Sequence, residues 1–196
     1  MIFVAVVRVA VGLLLAVTLP VSVLAADMAA GMQKAQTCVA CHGPEGNSAS
    51  PAIPSLAGQP AQFIATQLVM FREGRRKDAQ MSPFATGLAN ADLNNLAAYF
   101  AAQKLVLPTR EAPSATAEVG ARLAQQFNCT QCHGPALMGQ QHIPRLAGQQ
   151  MDYLKTQLLG FKASTRFDMD GQMTSAVQAL SEADIATLAD YLSALK

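Results

Sequence analysis

Apolar residues recur along this chain mostly at helical spacing. In the segment 152–161 they occupy positions 153, 154, 158 and 161, which share one face of a helix. A second such face near the C-terminus comprises Ile185, Leu188, Ala189, Leu192 and Leu195. Ser181 and Asp184 resemble a capping box at its start. No segment alternates with period two over any length, so no strands are predicted.

Two more helices are predicted ahead of the two cysteine pairs. One covers residues 117–127, and a shorter one lies near residues 29–36. Proline and glycine crowd the stretch between each cysteine pair and the next helix, which predicts loop. These elements predict an all-α fold.

The same elements occur twice because the chain contains an internal repeat. The sequence Cys-x-x-Cys-His-Gly-Pro begins at Cys38 and again 91 residues later at Cys129, and Ile-Pro-x-Leu-Ala-Gly-Gln begins at Ile53 and again 90 later at Ile143. The offset is 92 around the last helix, which places insertions in the loops. We therefore predict two homologous domains, residues 27–106 and 116–196, joined by a proline-containing linker at 107–115.

The first 26 residues differ in composition from the rest of the chain. Arg8 is their only charged residue, an apolar run covers positions 9–19, and the segment ends in Ala25 and Ala26. This pattern predicts a secretory signal cleaved after Ala25 or Ala26. An uncleaved membrane anchor is the alternative, since the apolar stretch is long enough to span a bilayer.

Composition and charge narrow the class further. Hydrophobic residues make up 51% of the chain, which permits a packed core and argues against disorder. Without residues 1–25, 13 Lys and Arg balance 13 Asp and Glu. A neutral mature chain is not suited to binding nucleic acid, and it lacks the strong field that steers partners at long range.

The motif Cys-x-x-Cys-His occurs twice and uses all four cysteines: Cys38, Cys41, Cys129 and Cys132. Two cysteines three positions apart lie on one face of a helical turn and can form thioethers to the two vinyl groups of a haem. The adjacent His42 or His133 is then held where a ring nitrogen can bind the iron. The motif therefore predicts two covalently attached haem c groups.

Three other interpretations of the cysteines are weaker. A thioredoxin-like dithiol belongs in a βαβ setting, and no strands are predicted. Four thiolates and two histidines can bind zinc, but in an exported protein they are more readily oxidised. Two structural disulfides are the third alternative.

Methionine is the expected sixth ligand in an electron-transfer cytochrome. Met81 lies 39 residues after His42, and Met173 lies 40 after His133. Both precede the last helix of their half, so we predict that they ligate the two irons. Met169 is the competitor in the second half, but its counterpart at an offset of 92 is Lys77.

Other polar positions have two interpretations each. The carbonyls of Pro54 and Pro144 are either acceptors for the ligating histidines or parts of plain turns. The basic cluster Arg72, Arg75, Arg76 and Lys77 is either a solvated helix end or a site for haem propionates or partners. Arg145 is a further candidate for a propionate. His142, whose counterpart is Ala52, is predicted to be a solvated loop residue, with a contact to the haem edge or a propionate as the alternative.

These motifs, together with the Leu-Ala-x-Tyr blocks at 96–99 and 188–191, make nearly the whole mature chain resemble the dihaem cytochrome c4 family. The resemblance implies two tandem class I cytochrome c domains related by a pseudo-two-fold axis, with haems close enough for internal electron transfer. It also implies a periplasmic protein, often loosely attached to the membrane. The one departure is that Gly31 lies seven residues before Cys38 but Gly120 lies nine before Cys129, which concerns the packing of the first helix.

Three functions follow from these assignments. The leading hypothesis is an electron carrier, without catalytic residues, that the resemblance places between the quinol-oxidising complex and terminal oxidases. A haem subunit of a periplasmic dehydrogenase has the same haem chemistry and a different partner. A dihaem peroxidase needs one iron with an open site, and the paired Met81 and Met173 argue against it.

Overall fold

A computed structural model describes residues 25–196, so the predicted signal segment lies almost entirely outside the described residues. The helices of the first half are α1 Met28–His42, α2 Ala61–Arg72, α3 Met81–Thr86 and α4 Asn90–Ala102. Those of the second half are α5 Ser114–Gln126, α6 Cys129–His133, α7 Met151–Lys162, α8 Gln172–Ala176 and α9 Glu182–Ala194. No strand occurs between residues 25 and 196, in agreement with the predicted all-α class.

Each half packs its helices around a small apolar core. In the first half α1 and α2 both pack on α4, which contributes Leu96 and Phe100 to the core. In the second half α5 and α7 both pack on α9, where Ile185 and Leu188 are almost fully buried. The repeat seen in the sequence is thus a repeat of the same helix packing.

The predicted capping box begins α9. The Ser181 hydroxyl accepts a hydrogen bond from the Asp184 amide at 3.1 Å, and the Asp184 carboxylate accepts one from the Ser181 amide at 2.9 Å. At the equivalent point of α4, the Ala89 amide donates to Asp92 at 3.0 Å, but alanine offers no side-chain cap in return. The Ser181 hydroxyl also donates to the Asp184 carboxylate at 2.6 Å, so the starts of the two equivalent helices differ by two hydrogen bonds.

The first helix is longer than predicted. Instead of ending near residue 36, α1 continues without a break through Cys38 and Cys41 to His42. In the second half the corresponding helix is interrupted, because Asn128 adopts a left-handed conformation with φ 56° between α5 and α6. That interruption absorbs the two extra residues between Gly120 and Cys129.

The two halves meet through matched backbone hydrogen bonds. The Phe63 amide at the start of α2 donates to the Gln141 carbonyl at 3.1 Å. The Tyr153 amide at the start of α7 donates to the Pro51 carbonyl at 2.9 Å. Each donor and acceptor is shifted by 90 residues from its counterpart, as expected for pseudo-two-fold symmetry. Among the helices of residues 25–196, none is both long and apolar enough to cross a bilayer.

Candidate haem-binding sites

Two cavities, each formed mainly by one half, are lined by the eight predicted site residues. The first has a volume of about 310 Å³, and its lining includes Cys38, Cys41, His42 and Met81. The second has a volume of about 600 Å³, and its lining includes Cys129, Cys132, His133 and Met173. The structure therefore brings each Cys pair together with the His and Met of its own half.

The cysteines of each pair lie on one helical turn. Cys38 and Cys41 belong to α1, and Cys129 and Cys132 belong to α6. The first cysteine of each pair is half-buried and the second is exposed. Burial raises the pKa of the Cys38 and Cys129 thiols. This placement at the wall and rim of an apolar cavity suits two thioether bonds to one edge of a haem.

The two histidines are buried and hydrogen-bonded alike. His42 is 5% exposed and its Nδ1 lies 2.9 Å from the Pro54 carbonyl oxygen. His133 is 3% exposed and its Nδ1 lies 2.8 Å from the Pro144 carbonyl oxygen. Since a carbonyl only accepts, Nδ1–H is the donor, and the lone pair is left on Nε2. Burial lowers the pKa of both rings, which favours the neutral form that binds iron.

Two aspartates that the sequence analysis overlooked hold the predicted methionines. Asp78 accepts a hydrogen bond from the Met81 amide at 2.8 Å, and Asp168 accepts one from the Met173 amide at 2.9 Å. Burial acts to raise the pKa of Asp168, but its bonds to the Met173 amide and other donors outweigh burial and lower it. Asp78 and Asp168 lie 90 positions apart, the same offset as the repeat, and this match in the sequence identifies them as equivalent residues.

The matching aspartates also correct the counterpart of Met169. The offset of 90 holds as far as Asp168, so the two-residue insertion lies between Asp168 and Met173. Met169 therefore lies in the segment that contains the insertion and does not correspond to Lys77. Its side chain lines the second cavity but is 68% exposed, whereas Met173 packs against the core of the second half.

A polar cluster joins the two cavities. Gln67 and Tyr153 line both of them, Arg76 lines the first and Arg166 lines the second. Arg76 stacks on Phe71 with its guanidinium 4.5 Å from the ring centroid, and Arg166 stacks on Phe161 at 4.4 Å. Arg76 is thus not the solvated helix end that was one interpretation of the basic cluster.

Hydrogen bonds hold the two guanidinium groups across the boundary. Arg76 donates to Gln67 at 2.6 Å, to Gln157 at 2.9 Å and to the Tyr153 hydroxyl at 3.2 Å. Arg166 donates to Gln157 at 2.6 Å. Burial acts to raise the pKa of Tyr153, but the charges of Arg76 and Arg166 outweigh it and lower that pKa. The cluster is therefore strongly electropositive.

The cluster fits a cofactor that carries carboxylates. Burial lowers the pKa of Arg166 to about 10, and its Nε is buried without a hydrogen-bond partner among residues 25–196. No carboxylate of the described chain hydrogen-bonds Arg76 or Arg166. Haem has an apolar ring with two propionates at one edge. The apolar cavity walls and the unpaired cations at their junction match these two parts.

Arg145 and His142, two further polar residues considered from the sequence, differ in their surroundings. Arg145 is 1% exposed, donates to the carbonyls of Ala147 and Ala57, and is not among the residues lining either cavity. The structure therefore does not support the suggested role of Arg145 as a propionate ligand. His142 is exposed, as predicted, and lies at the rim of the second cavity.

Comparison with known proteins agrees with this geometry. Residues 117–196 match the family model described as "Cytochrome c", and residues 24–100 match "Cytochrome C oxidase, cbb3-type, subunit III". Cytochrome c4 of Pseudomonas aeruginosa is 37% identical over 181 residues, covering 87% of this chain and 90% of that protein. The thiosulfate dehydrogenase electron acceptor of Thiomonas intermedia is 35% identical over 183 residues, covering 86% and 83%.

A solved structure shares both the fold and the arrangement of the halves. The crystal structure of reduced recombinant cytochrome c4 from Pseudomonas stutzeri superposes with a TM-score of 0.82 at 33% identity, covering 88% of this chain and all of that one. The two Cys-x-x-Cys-His motifs line cavities that suit one haem each. The chain therefore belongs to the cytochrome c4 family and carries two covalently attached haem c groups.

Proposed function

We propose that this protein is a periplasmic electron carrier whose irons are ligated by His42 with Met81 and by His133 with Met173. The observation that carries the proposal is that each cavity is lined by a buried, hydrogen-bonded histidine and a methionine anchored by an aspartate. A histidine and a methionine would complete the protein ligands of each iron, so neither haem would keep a site for peroxide or oxygen. Methionine ligation also raises the reduction potential, which suits a donor to an oxidase.

The chain itself supplies orientation, exclusion of water and charge. When bound, haem supplies one-electron chemistry at its iron. Pro54 and Pro144 fix the planes of the ligating histidines through their carbonyls. Apolar residues such as Phe71 and Phe161 line the cavities and keep water away from the ring. The hydrogen bonds between the halves hold the two sites at a fixed separation.

Carbon monoxide tests the assignment of both axial positions. The reduced protein should bind no carbon monoxide at either haem, and its oxidised form should give low-spin spectra only. Binding at one haem would mean that its sixth position is open or exchangeable. That result would favour the dihaem peroxidase over the carrier.

The physiological partners are proposed from the family. We infer that electrons enter from the quinol-oxidising complex and leave to a terminal oxidase, and that the protein associates at most peripherally with the membrane. The signal at residues 1–26 and the domain limits 27–106 and 116–196, with the linker at 107–115, belong to the same proposal. Reduction by the purified quinol-oxidising complex, followed by reoxidation by the oxidase of the same organism, would test this order.

One comparison favours a different electron donor, a thiosulfate dehydrogenase. The relative from Thiomonas intermedia is called a thiosulfate dehydrogenase electron acceptor. A dehydrogenase as donor requires the same haem chemistry and changes only the docking partner. Parallel stopped-flow mixing with the quinol-oxidising complex and with a thiosulfate dehydrogenase would distinguish the two, because the true donor should reduce the protein far faster.

A further inference from the structure

Two buried glutamines cross between the halves at equivalent positions. Gln59 is 2% exposed and Gln149 is 4% exposed. Gln149 accepts from the Ser55 amide at 2.8 Å and donates to the Ser55 carbonyl at 2.9 Å. Gln59 accepts from the Arg145 amide at 2.9 Å and donates to the Arg145 carbonyl at 3.0 Å. Each half thus binds the backbone of one residue of the other half through the same pair of hydrogen bonds.

Each glutamine binds the same peptide unit whose carbonyl accepts the hydrogen bond from the histidine. The Pro54 carbonyl and the Ser55 amide belong to one peptide unit, which accepts from His42 at its oxygen and donates to Gln149 at its nitrogen. The unit between Pro144 and Arg145 does the same with His133 and Gln59. A continuous hydrogen-bonded chain therefore runs from each histidine, through one peptide, to a glutamine of the opposite half.

Hydrogen bonds in such a chain strengthen one another. An acceptor at the amide pushes electron density toward the carbonyl oxygen, and the low dielectric of a buried site preserves this effect. A more negative carbonyl draws the Nδ1 proton of the histidine more strongly and makes Nε2 a more basic ligand. A more basic ligand favours the oxidised iron, so the reduction potential falls.

We propose that Gln149 sets the potential of the haem in the first half and Gln59 that of the haem in the second half. Both are positioning residues that act on the histidine through a peptide. Both also line the first cavity, but neither lines the second, so an effect of Gln59 on the second haem must pass through the Pro144–Arg145 peptide. The inference rests on the ligation by His42 and His133 proposed above. It makes the potential of each haem depend on a residue of the opposite half, so the docking of the halves and the electron affinity of the haems are linked.

Replacement of each glutamine by leucine tests the inference on the holoprotein. Gln149→Leu should raise the potential of the first haem and leave the second unchanged. Gln59→Leu should raise the potential of the second haem, whose cavity it does not line. The expected change is several-fold in the reduction equilibrium constant, where tenfold corresponds to about 59 mV for one electron. Potentials are measured for each haem by NMR-monitored electrochemistry, with the haem signals assigned to their halves. The Nδ1 proton of the affected histidine should also move upfield.

Gln150→Leu is the matched control. Gln150 also donates across the boundary, to the Ser48 carbonyl at 2.6 Å, but it does not touch the Pro54–Ser55 peptide. It should leave both potentials unchanged. Gln149→Glu is the second variant if the leucine proteins fold poorly. Above the pKa of the introduced carboxyl, its carboxylate is a stronger acceptor for the Ser55 amide than the amide oxygen of Gln149. This variant should therefore lower the potential of the first haem.

Three outcomes would overturn the inference: an unchanged Nδ1 proton shift of the affected histidine, an unchanged potential of the second haem in Gln59→Leu, or an equal fall of both potentials. The last would mean that water enters a loosened boundary. All three leave the low-spin His/Met spectra in place, so the proposed ligation would stand. A wild-type protein without those spectra would instead contradict the proposed function.

Discussion

At the scale of single residues, the methionine in each cavity is placed by a carboxylate as well as by the helix that bears it. Asp78 and Asp168 accept the amides of Met81 and Met173, so the sulfur-bearing side chains start from equivalent points. The two extra residues of the second half fall after Asp168, where they extend an exposed loop. The insertion therefore leaves the anchored methionine in place.

Replacement of the methionines tests the proposed ligands. Met81→Ala should remove the sulfur–iron charge-transfer band of one haem and lower its potential, because methionine ligation raises the potential. Met173→Ala should do the same to the other haem. Absorption spectra of the oxidised protein near the red end of the visible range measure the band, and a redox titration measures the potential.

Met169→Ala is the control within the same loop, and it should keep both bands because Met169 is mostly exposed. Loss of a band in Met169→Ala together with its retention in Met173→Ala would transfer the ligand to Met169. Retention of both bands in all three variants would mean that other groups ligate the irons.

Removal of the half-buried Arg166 charge tests the polar cluster between the cavities. Arg166→Gln should lower the potential of the second haem, because a nearby cation favours the reduced state, which carries one positive charge less. Arg75→Gln removes the same charge from an exposed position, where water and salt screen it, and should have a much smaller effect. Potentiometry at one ionic strength compares the two, and equal shifts would contradict a specific role for Arg166.

At the scale of helices, both halves have the same close helix crossing, but the number of residues between the crossing and the cysteines differs. A side chain at Gly31 would place Cβ 2.2 Å from the Asn95 carbonyl oxygen of α4, and one at Gly120 would place it 2.3 Å from Cβ of Tyr191 in α9. Both glycines therefore allow close helix crossing. The distance in sequence from each crossing to its cysteines differs, and the left-handed Asn128 corrects for the difference.

Gly120→Ala should destabilise the protein by about 1–3 kcal/mol, because the added methyl group must push α5 away from α9. Thermal unfolding of the holoprotein measures the loss. Gly87→Ala is the control, since nothing lies within 4 Å of its added Cβ and its φ is −91°. The control should stay within about 0.5 kcal/mol of wild type. Equal stability of Gly120→Ala would mean that the crossing is loose in solution.

At the scale of the whole molecule, the boundary between the halves is polar and symmetric. Gln59 and Gln149 bind the backbone of the opposite half, and Arg76 reaches Tyr153 and Gln157 across it. Buried hydrogen bonds of this kind require one relative orientation, because any other leaves polar groups unpaired. The boundary therefore fixes how the two haem sites face each other.

Covalent attachment and processing are tested together on protein from its native host. Intact mass in denaturant should exceed that of the processed chain by two haems, because thioether bonds survive unfolding. N-terminal sequencing should begin at Ala26 or Asp27. A mass with fewer than two haems would contradict attachment at both motifs, and recovery of Met1 would favour a retained anchor.

The sequence by itself determined the features that depend on local chemistry and on repetition. The Cys-x-x-Cys-His spacing specifies haem attachment within one helical turn, and the helical periodicity predicts α7 and α9 to within a few residues. The repeat singles out Met81 and Met173 because a functional position recurs in both halves. These inferences need no knowledge of how distant segments pack.

Only the tertiary structure decided which distant residues contact these positions and form their hydrogen bonds. The sequence left open whether the Pro54 and Pro144 carbonyls serve the histidines, and the folded chain shows that they do. It made Arg145 a propionate candidate, but burial between the halves turns that side chain toward backbone carbonyls instead. The roles of Gln59 and Gln149 arise from contacts between residues 86 to 94 positions apart. Such contacts depend on how the helices pack, which no local pattern encodes.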